Sequence, residues 1–235
     1  MIHGRRVLAV VPARGGSKGV PLKNLRPVHG VPLVAMTGEI VRQVPLIDRA
    51  VVSTDHAEIA RVATEAGLDA PFLRPESLSG DLIGDLEVLT QALLASEAHY
   101  GETFDIVTML QPTSPLRRPE HVAATIEKLV AEELDAVWTV SPADLKYHPF
   151  KLLVLNDGLL HFFDERGRTI IARQQLTPVY FRNGAAYAMT RECLLEQKSI
   201  MGRRSGAVVV NEPMVSIDTL EDFARVEAVL TADPR

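Results

Sequence analysis

Short apolar runs alternate with longer amphipathic stretches along the chain. Residues 7–11, 50–52, 105–110, 136–140 and 207–210 are near-continuous runs of Val, Ile, Leu, Met and Ala. Such runs predict strands buried on both faces, as in a parallel sheet. Most of them end in a Pro- or Ser-marked turn. Between them, residues 33–44, 58–66, 86–98, 119–131 and 219–230 carry the helical period. Pro119 suits the first turn of its helix. Asp55 and Glu58 have the spacing of a capping box, so Asp55 is read as a helix cap. The alternation predicts an α/β fold: a three-layer, mostly parallel, Rossmann-like sheet in one domain. Ligands of such sheets bind at the carboxyl ends of the strands.

Residues 142–190 break the rhythm. Two apolar segments flank Asn156-Asp157-Gly158, a hairpin signal, and residues 184–189 read as one more strand. The whole stretch is expected to form a small inserted antiparallel lobe.

Composition narrows the class. The chain has 235 residues, 46% hydrophobic and 23% charged, with a formal net charge of −5. That balance gives no general grip on nucleic acid or anionic lipid. A polyanion therefore needs a local cluster of cations. Cys193 is the single cysteine, which excludes an internal disulfide and a Cys-rich zinc site; it is expected to be buried and inert. No apolar stretch approaches a membrane span, so the expectation is a soluble, cytoplasmic protein. None of the 7 histidines has metal-ligand spacing.

The cation cluster follows the first apolar run directly: Pro12-Ala13-Arg14-Gly15-Gly16-Ser17-Lys18-Gly19-Val20-Pro21-Leu22-Lys23-Asn24. Its glycines allow inward-facing backbone N–H groups, and its cations suit polyphosphate. No register fits GxxxxGK[ST], and Arg14 stands where GxGxxG needs its first glycine. Those mismatches point away from P-loop ATPases and nicotinamide dehydrogenases.

The loop resembles the signature of the N-acylneuraminate cytidylyltransferase (CMP-sialic acid synthetase) family. Further segments resemble that family in order: Val52-Ser53-Thr54-Asp55; Arg74-Pro75-Glu76-Ser77-Leu78-Ser79-Gly80-Asp81; Leu110-Gln111-Pro112-Thr113-Ser114-Pro115-Leu116-Arg117; Arg173-Gln174-Gln175-Leu176; Asn183-Gly184-Ala185-Ala186-Tyr187; and Ser216-Ile217-Asp218-Thr219-Leu220-Glu221-Asp222. The resemblance spans residues 7–229.

It implies CMP transfer from CTP to the anomeric hydroxyl of a nonulosonic (sialic-type) acid, with release of pyrophosphate. The alternatives are a Kdo-type or 8-amino-Kdo acceptor, or a non-catalytic nucleotide-binding protein. By the same resemblance, Arg14, Gly15, Gly16, Ser17, Lys18 and Asn24 bind the nucleotide. Arg74 reads the base, since an arginine fork can donate to the cytosine acceptors, and Ile83 and Asp85 complete the pocket. Arg14, Lys18 and Gln111 are the catalytic candidates. Gln111, Lys151, Arg173 and Tyr187 are the acceptor candidates. Asp218 is the metal candidate for Mg²⁺ or Mn²⁺, although Ser216 replaces the first carboxylate of the Asp-Ile-Asp pattern. Lys23 reads equally as a phosphate contact or a structural lysine. Arg117 and Arg118 read as helix-start, subunit-contact or catalytic residues. Asp222 reads as a cap or an orienting residue. The family also implies a homodimer, with Ile200 and Met201 among its contacts.

Overall fold

The computed structural model describes residues 1–233. One six-stranded sheet organises the chain. Its strands are β1 (Val7–Pro12), β4 (Arg49–Ser53), β5 (Ile106–Met109), β6 (Ala136–Pro142), β9 (Tyr180–Thr190) and β10 (Ser205–Val209). Two short strands, β2 (Pro27–Val28) and β3 (Val31–Pro32), form a separate ribbon, and β7 (Leu153–Asn156) and β8 (Leu159–Phe162) form a hairpin. The main sheet runs β10-β6-β9-β5-β1-β4. β1 pairs parallel with β4 and β5, β10 pairs parallel with β6, and β9 is antiparallel to both of its neighbours.

The alternation within β1 shows why the run is apolar throughout. Val7, Ala9 and Val11 face α1 (Leu33–Val41), α2 (Ala57–Glu65) and α4 (Pro119–Ala131) through Val34, Ile59 and Ile126. Leu8 and Val10 face α3 (Asp85–Tyr100) and α5 (Arg191–Leu195) through Leu89, Leu93 and Leu194. Helices thus cover both faces, and the sheet is mostly parallel and three-layered as expected. A last helix, α6 (Leu220–Ala232), packs beside β2 around Val28, Leu116 and Ile217.

Two expectations are corrected. β9 is longer than residues 184–189 and is inserted in the main sheet between β5 and β6. Of residues 142–190, only 143–179 lie outside that sheet. The reason is burial: Asn183 to Met189 are buried, as a central strand requires. Second, α2 is capped by His56, whose Nδ1 accepts from Glu58 N at 3.3 Å. Asp55 has another task, described below.

The β7–β8 turn is the one its sequence calls for. Asp157 (φ 50°) and Gly158 (φ 79°) both take positive φ, as a type I′ hairpin needs. Cys193 is fully buried, and burial pushes its thiol up to about 11. No helix among the described residues is long and apolar enough to cross a membrane.

Candidate active site

A cavity of about 490 Å³ opens at the carboxyl ends of β1, β4 and β5. Arg14, Ser17, Lys18, Asn24, Arg74, Ile83, Asp85, Gln111 and Asp218 all line it. Gly15 and Gly16 lie in the same loop. Residues spread over two hundred positions of sequence therefore meet in one place.

The glycine loop is held by its neighbours. Asp55 accepts from Gly15 N at 2.8 Å. The buried Asn24 donates its amide to the Arg14 carbonyl at 3.0 Å. Gly19 presses on the far wall, where a Cβ would lie 2.6 Å from the Asp218 carbonyl oxygen. A side chain at position 19 would therefore displace the loop from Asp218.

Arg14 and Lys18 converge on one carboxylate. Arg14 Nη1 is 2.9 Å, and Lys18 Nζ 2.6 Å, from Asp81. The Lys18 contact, with Arg14 behind it, holds the Asp81 carboxyl below the usual carboxylate range. Two cations focused on two carboxylate oxygens have the charge pattern that a phosphate group would meet.

Arg74 is buried at the root of the cavity. Its Nε donates to Ser53 Oγ at 3.0 Å and its Nη2 to the Ser53 carbonyl at 2.5 Å. Nη1 makes no hydrogen bond among the described residues, and Arg74 lines the cavity. Burial lowers the Arg74 pKa, and Asp55 partly offsets it. Asp85 stands in the first turn of α3, where negative charge is favoured. Burial nonetheless raises its pKa, against the fields of Arg182 and Arg74.

Lys23 is the clamp on Asp218. Its Nζ donates to the Ile217 carbonyl at 2.7 Å and to Asp218 Oδ1 at 2.9 Å. Asp218 itself remains mostly exposed toward the cavity. Asp222 accepts from Asp218 N, Thr219 N and Thr219 Oγ1 at 2.8–3.0 Å, so it caps α6 and fixes the segment carrying Asp218. Among the described residues no three His, Cys, Asp or Glu side chains gather as a metal cluster.

Gln111 is anchored through its backbone. Arg117 is 2% exposed and donates to the Gln111 carbonyl, to the Ala185 carbonyl at 2.8 Å and to Thr37 Oγ1 at 3.0 Å. Burial pushes its pKa down to about 9. Ser114 Oγ donates to the Asn183 carbonyl at 2.9 Å. Together they rivet the Gln111 loop to β9. Gly184 (φ 72°) makes this possible, because a Cβ there would lie 2.3 Å from Ser114 Oγ and 2.8 Å from Gln111 Oε1.

The acceptor candidates divide. Tyr187 is not at the cavity surface. It is 3% exposed, its hydroxyl accepts from Gly184 N at 2.8 Å, and its ring lies 4.8 Å from that of Trp138. Lys151 and Arg173 sit exposed in the lobe and do not line the cavity. Ser53 and Asp55, set aside by the sequence reading as a helix start, orient Arg74 and Gly15 instead. No spacing rule reveals that, because both contacts cross between β4 and distant loops.

Residues 8–231 match the family model described as cytidylyltransferase. The chain is 33% identical over 229 residues to the CMP-N,N'-diacetyllegionaminic acid synthase of Legionella pneumophila, covering 96% of each. It is 30% identical to the pseudaminic acid cytidylyltransferase of Campylobacter jejuni, covering 93% of this chain and 94% of that one. The N-acylneuraminate cytidylyltransferase of Streptococcus agalactiae is also 30% identical, over 93% of this chain and 52% of its own. Among solved structures, CMP:2-keto-3-deoxy-manno-octonic acid synthetase complexed with CTP superposes with a TM-score of 0.71 at 19% identity, covering 97% of this chain and 99% of that one.

Proposed function

The chain belongs to the cytidylyltransferase family, and on that premise we propose that it transfers CMP from CTP to the anomeric hydroxyl of a nonulosonic acid, releasing pyrophosphate. The observation that carries this reading is the cavity itself: Arg14 and Lys18 converge on one anion position, with Arg74 at its root and Gln111 at its rim. A triphosphate supplies the anion, and Arg74 Nη1 supplies donors to a base. The relatives' names add the acceptor class.

Catalysis by these residues is positioning and charge neutralisation. Arg14 and Lys18 take up charge on the departing pyrophosphate once they leave Asp81. Gln111, fixed by Arg117 behind it, orients the acceptor against the α-phosphate. Asp218 suits Mg²⁺ or Mn²⁺ brought in with the nucleotide, since such ions take one or two carboxylates plus phosphate oxygens and water. The exposed Asp218 carboxylate, already close to one cation, Lys23, offers that single protein ligand. Bound there, the ion would polarise the α-phosphate.

The exposed leucines of the lobe support a homodimer. Leu153, Leu155, Leu159 and Leu160 are all more than half exposed on one hairpin, an apolar surface of the kind that marks an interface. Met201 is exposed as well, whereas Ile200 is half-buried and its carbonyl accepts from Trp138 Nε1 at 2.9 Å. Light scattering at micromolar concentration should give twice the chain mass; a monomer mass would remove the dimer.

The test of the reaction is pyrophosphate release with CTP and Mg²⁺ over a panel of nonulosonic and Kdo-type acids, with product masses. Release with a nonulosonic acid and a CMP-sugar mass is the expected result. Release only with a Kdo-type acid would overturn the acceptor class. CTP binding without turnover on any acid would overturn the enzyme reading.

A further inference from the structure

A second cavity, of about 700 Å³, shares no lining residue with the nucleotide cavity. Part of its wall comes from β2, α1 and α6 and is apolar at Val28, Met36, Ile40 and Leu230. The rest includes the segment that runs from Pro115 into the first turn of α4. Two arginines stand in that segment and are engaged to different degrees. Arg117 is taken up by the carbonyls of Gln111 and Ala185 and by Thr37. Arg118 makes one ion pair, in which its Nη2 donates to Asp233 Oδ2 at 2.5 Å, and that pair is open to solvent. Its Nε is buried and has no hydrogen-bond partner among the described residues. A buried guanidinium N–H without an acceptor is costly, and an incoming acceptor relieves that cost. Nε and Nη2 form one edge of the guanidinium. Asp233 fills half of that edge, and a carboxylate free to align with it can fill both positions. The positive end of the α4 dipole adds to the field at the same place. Glu39 and Glu120 line the cavity too, and among the described residues neither is at ion-pair distance from Arg118. Their charges leave room for one negative charge and disfavour a polyanion.

We propose that this cavity is a second ligand site, which takes a small amphipathic monoanion. Its apolar body lies against Val28, Met36, Ile40 and Leu230, and its carboxylate or sulfonate replaces Asp233 on Arg118. Asp233 stands to this cavity as Asp81 stands to the nucleotide cavity: a carboxylate of the chain on a cation that an incoming anion needs. The site is separate from the nucleotide cavity, so its test stands whatever acceptor the protein uses.

The probe is 8-anilinonaphthalene-1-sulfonate, an apolar body with one sulfonate. N-phenyl-1-naphthylamine, the same body without the charge, is run beside it. Protein labelled with ¹³C at the methionine methyls shows where each one binds. The sulfonate should shift the Met36 methyl in a saturable, one-to-one titration and leave Met109 and Met189, buried in the sheet, unmoved. Arg118→Gln should weaken that titration about 10- to 100-fold, as loss of a charge-assisted pair does. Arg118→Lys, which keeps the charge and loses the edge, should fall between. Asp233→Asn removes an exposed competitor and should tighten binding about 2- to 5-fold. The neutral probe should bind more weakly and ignore Arg118→Gln. Native Met109 and Met189 signals in Arg118→Gln show that the variant is folded. An unmoved Met36, with Met201 shifting instead, would put the sulfonate on another exposed surface and overturn the proposal. Equal Met36 titrations for the two probes, or for wild type and Arg118→Gln, would remove the anion position and overturn it as well.

Discussion

The nucleotide cavity and the lobe of residues 143–179 handle charge in opposite ways. In the cavity, side chains are held by partners far off in sequence. Lys23 reaches Ile217 and Asp218, 194 and 195 residues away, and Arg117 reaches Ala185 across 68. In the lobe, the ion pairs are local and wet: Lys146 with Asp144, Arg166 with Asp164, and Arg168 with Glu165. The hairpin above them turns its leucines outward. The Gln111 loop and the Asp218 segment are thus fixed by distant parts of the chain, while Arg14 and Lys18 start paired with Asp81. The lobe presents exposed leucines on its hairpin.

That contrast breaks most visibly on turnover. Lys18→Ala or Arg14→Ala should cut the rate of pyrophosphate release about 10²- to 10³-fold, the usual cost of removing one fixed donor from a transition-state oxyanion. Arg166→Ala in the lobe should leave the rate within about two-fold. Comparable losses from both halves would mean that the cavity is not the reaction centre.

Stability separates them next. Arg117→Met would leave the Ala185 carbonyl buried without its donor and take from the Gln111 carbonyl one of its two donors, the other being Ser114 N at 3.0 Å. At about 1–3 kcal/mol for an orphaned group, the variant should lose about 1–3 kcal/mol, seen as a lower urea midpoint. Arg166→Ala removes an exposed pair and should not shift that midpoint. An unshifted midpoint for Arg117→Met would show that the rivet between the Gln111 loop and β9 is decorative.

The same contrast explains what the sequence disclosed. The apolar runs and the helical periods located the sheet and its helices, because burial on both faces leaves a continuous pattern. The glycine loop, Gln111 and Asp218 were legible as motifs, and they meet in the cavity. Contacts between motifs were not legible. Asp55 looked like a cap because its spacing to Glu58 is local, while its bond to Gly15 spans 40 residues. β9 looked like part of the lobe because its antiparallel entry follows lobe residues directly; only the pairing with β5 and β6 shows that it is central. Tyr187 carried a motif, and the structure assigns its hydroxyl to the backbone of Gly184.

A smaller effect should appear in nucleotide binding. Asp81 occupies the cations that a triphosphate needs, so phosphate and carboxylate compete for them. Each pair is solvent-exposed and contributes little. Asp81→Asn should therefore tighten CTP binding by calorimetry only about 3- to 10-fold. Weaker binding would instead give Asp81 a supporting role in the complex.

The smallest effect is a difference in sign under acid. In the lobe, hydrogen bonds from Arg166 hold the Asp164 carboxyl down at about 2, and Asp144 and Glu165 are also lowered. A lowered carboxyl contributes stability above its ordinary value, near about 4, and loses it as pH falls toward the folded value. Asp85 runs the other way, because burial raises it. Its folded form holds the proton more tightly than the unfolded chain, so its contribution improves as pH falls through the raised value. Acidification from about pH 5 to about pH 3 should therefore lower the amide protection factors of residues 164–169 before those at the start of α3. Asp164→Asn should shrink the pH response of 164–169, leaving the part that Glu165 contributes, and leave the global urea midpoint where it was. If protection at both places fell together, the two regions would be one cooperative unit, and the independence of the lobe from the cavity would be lost.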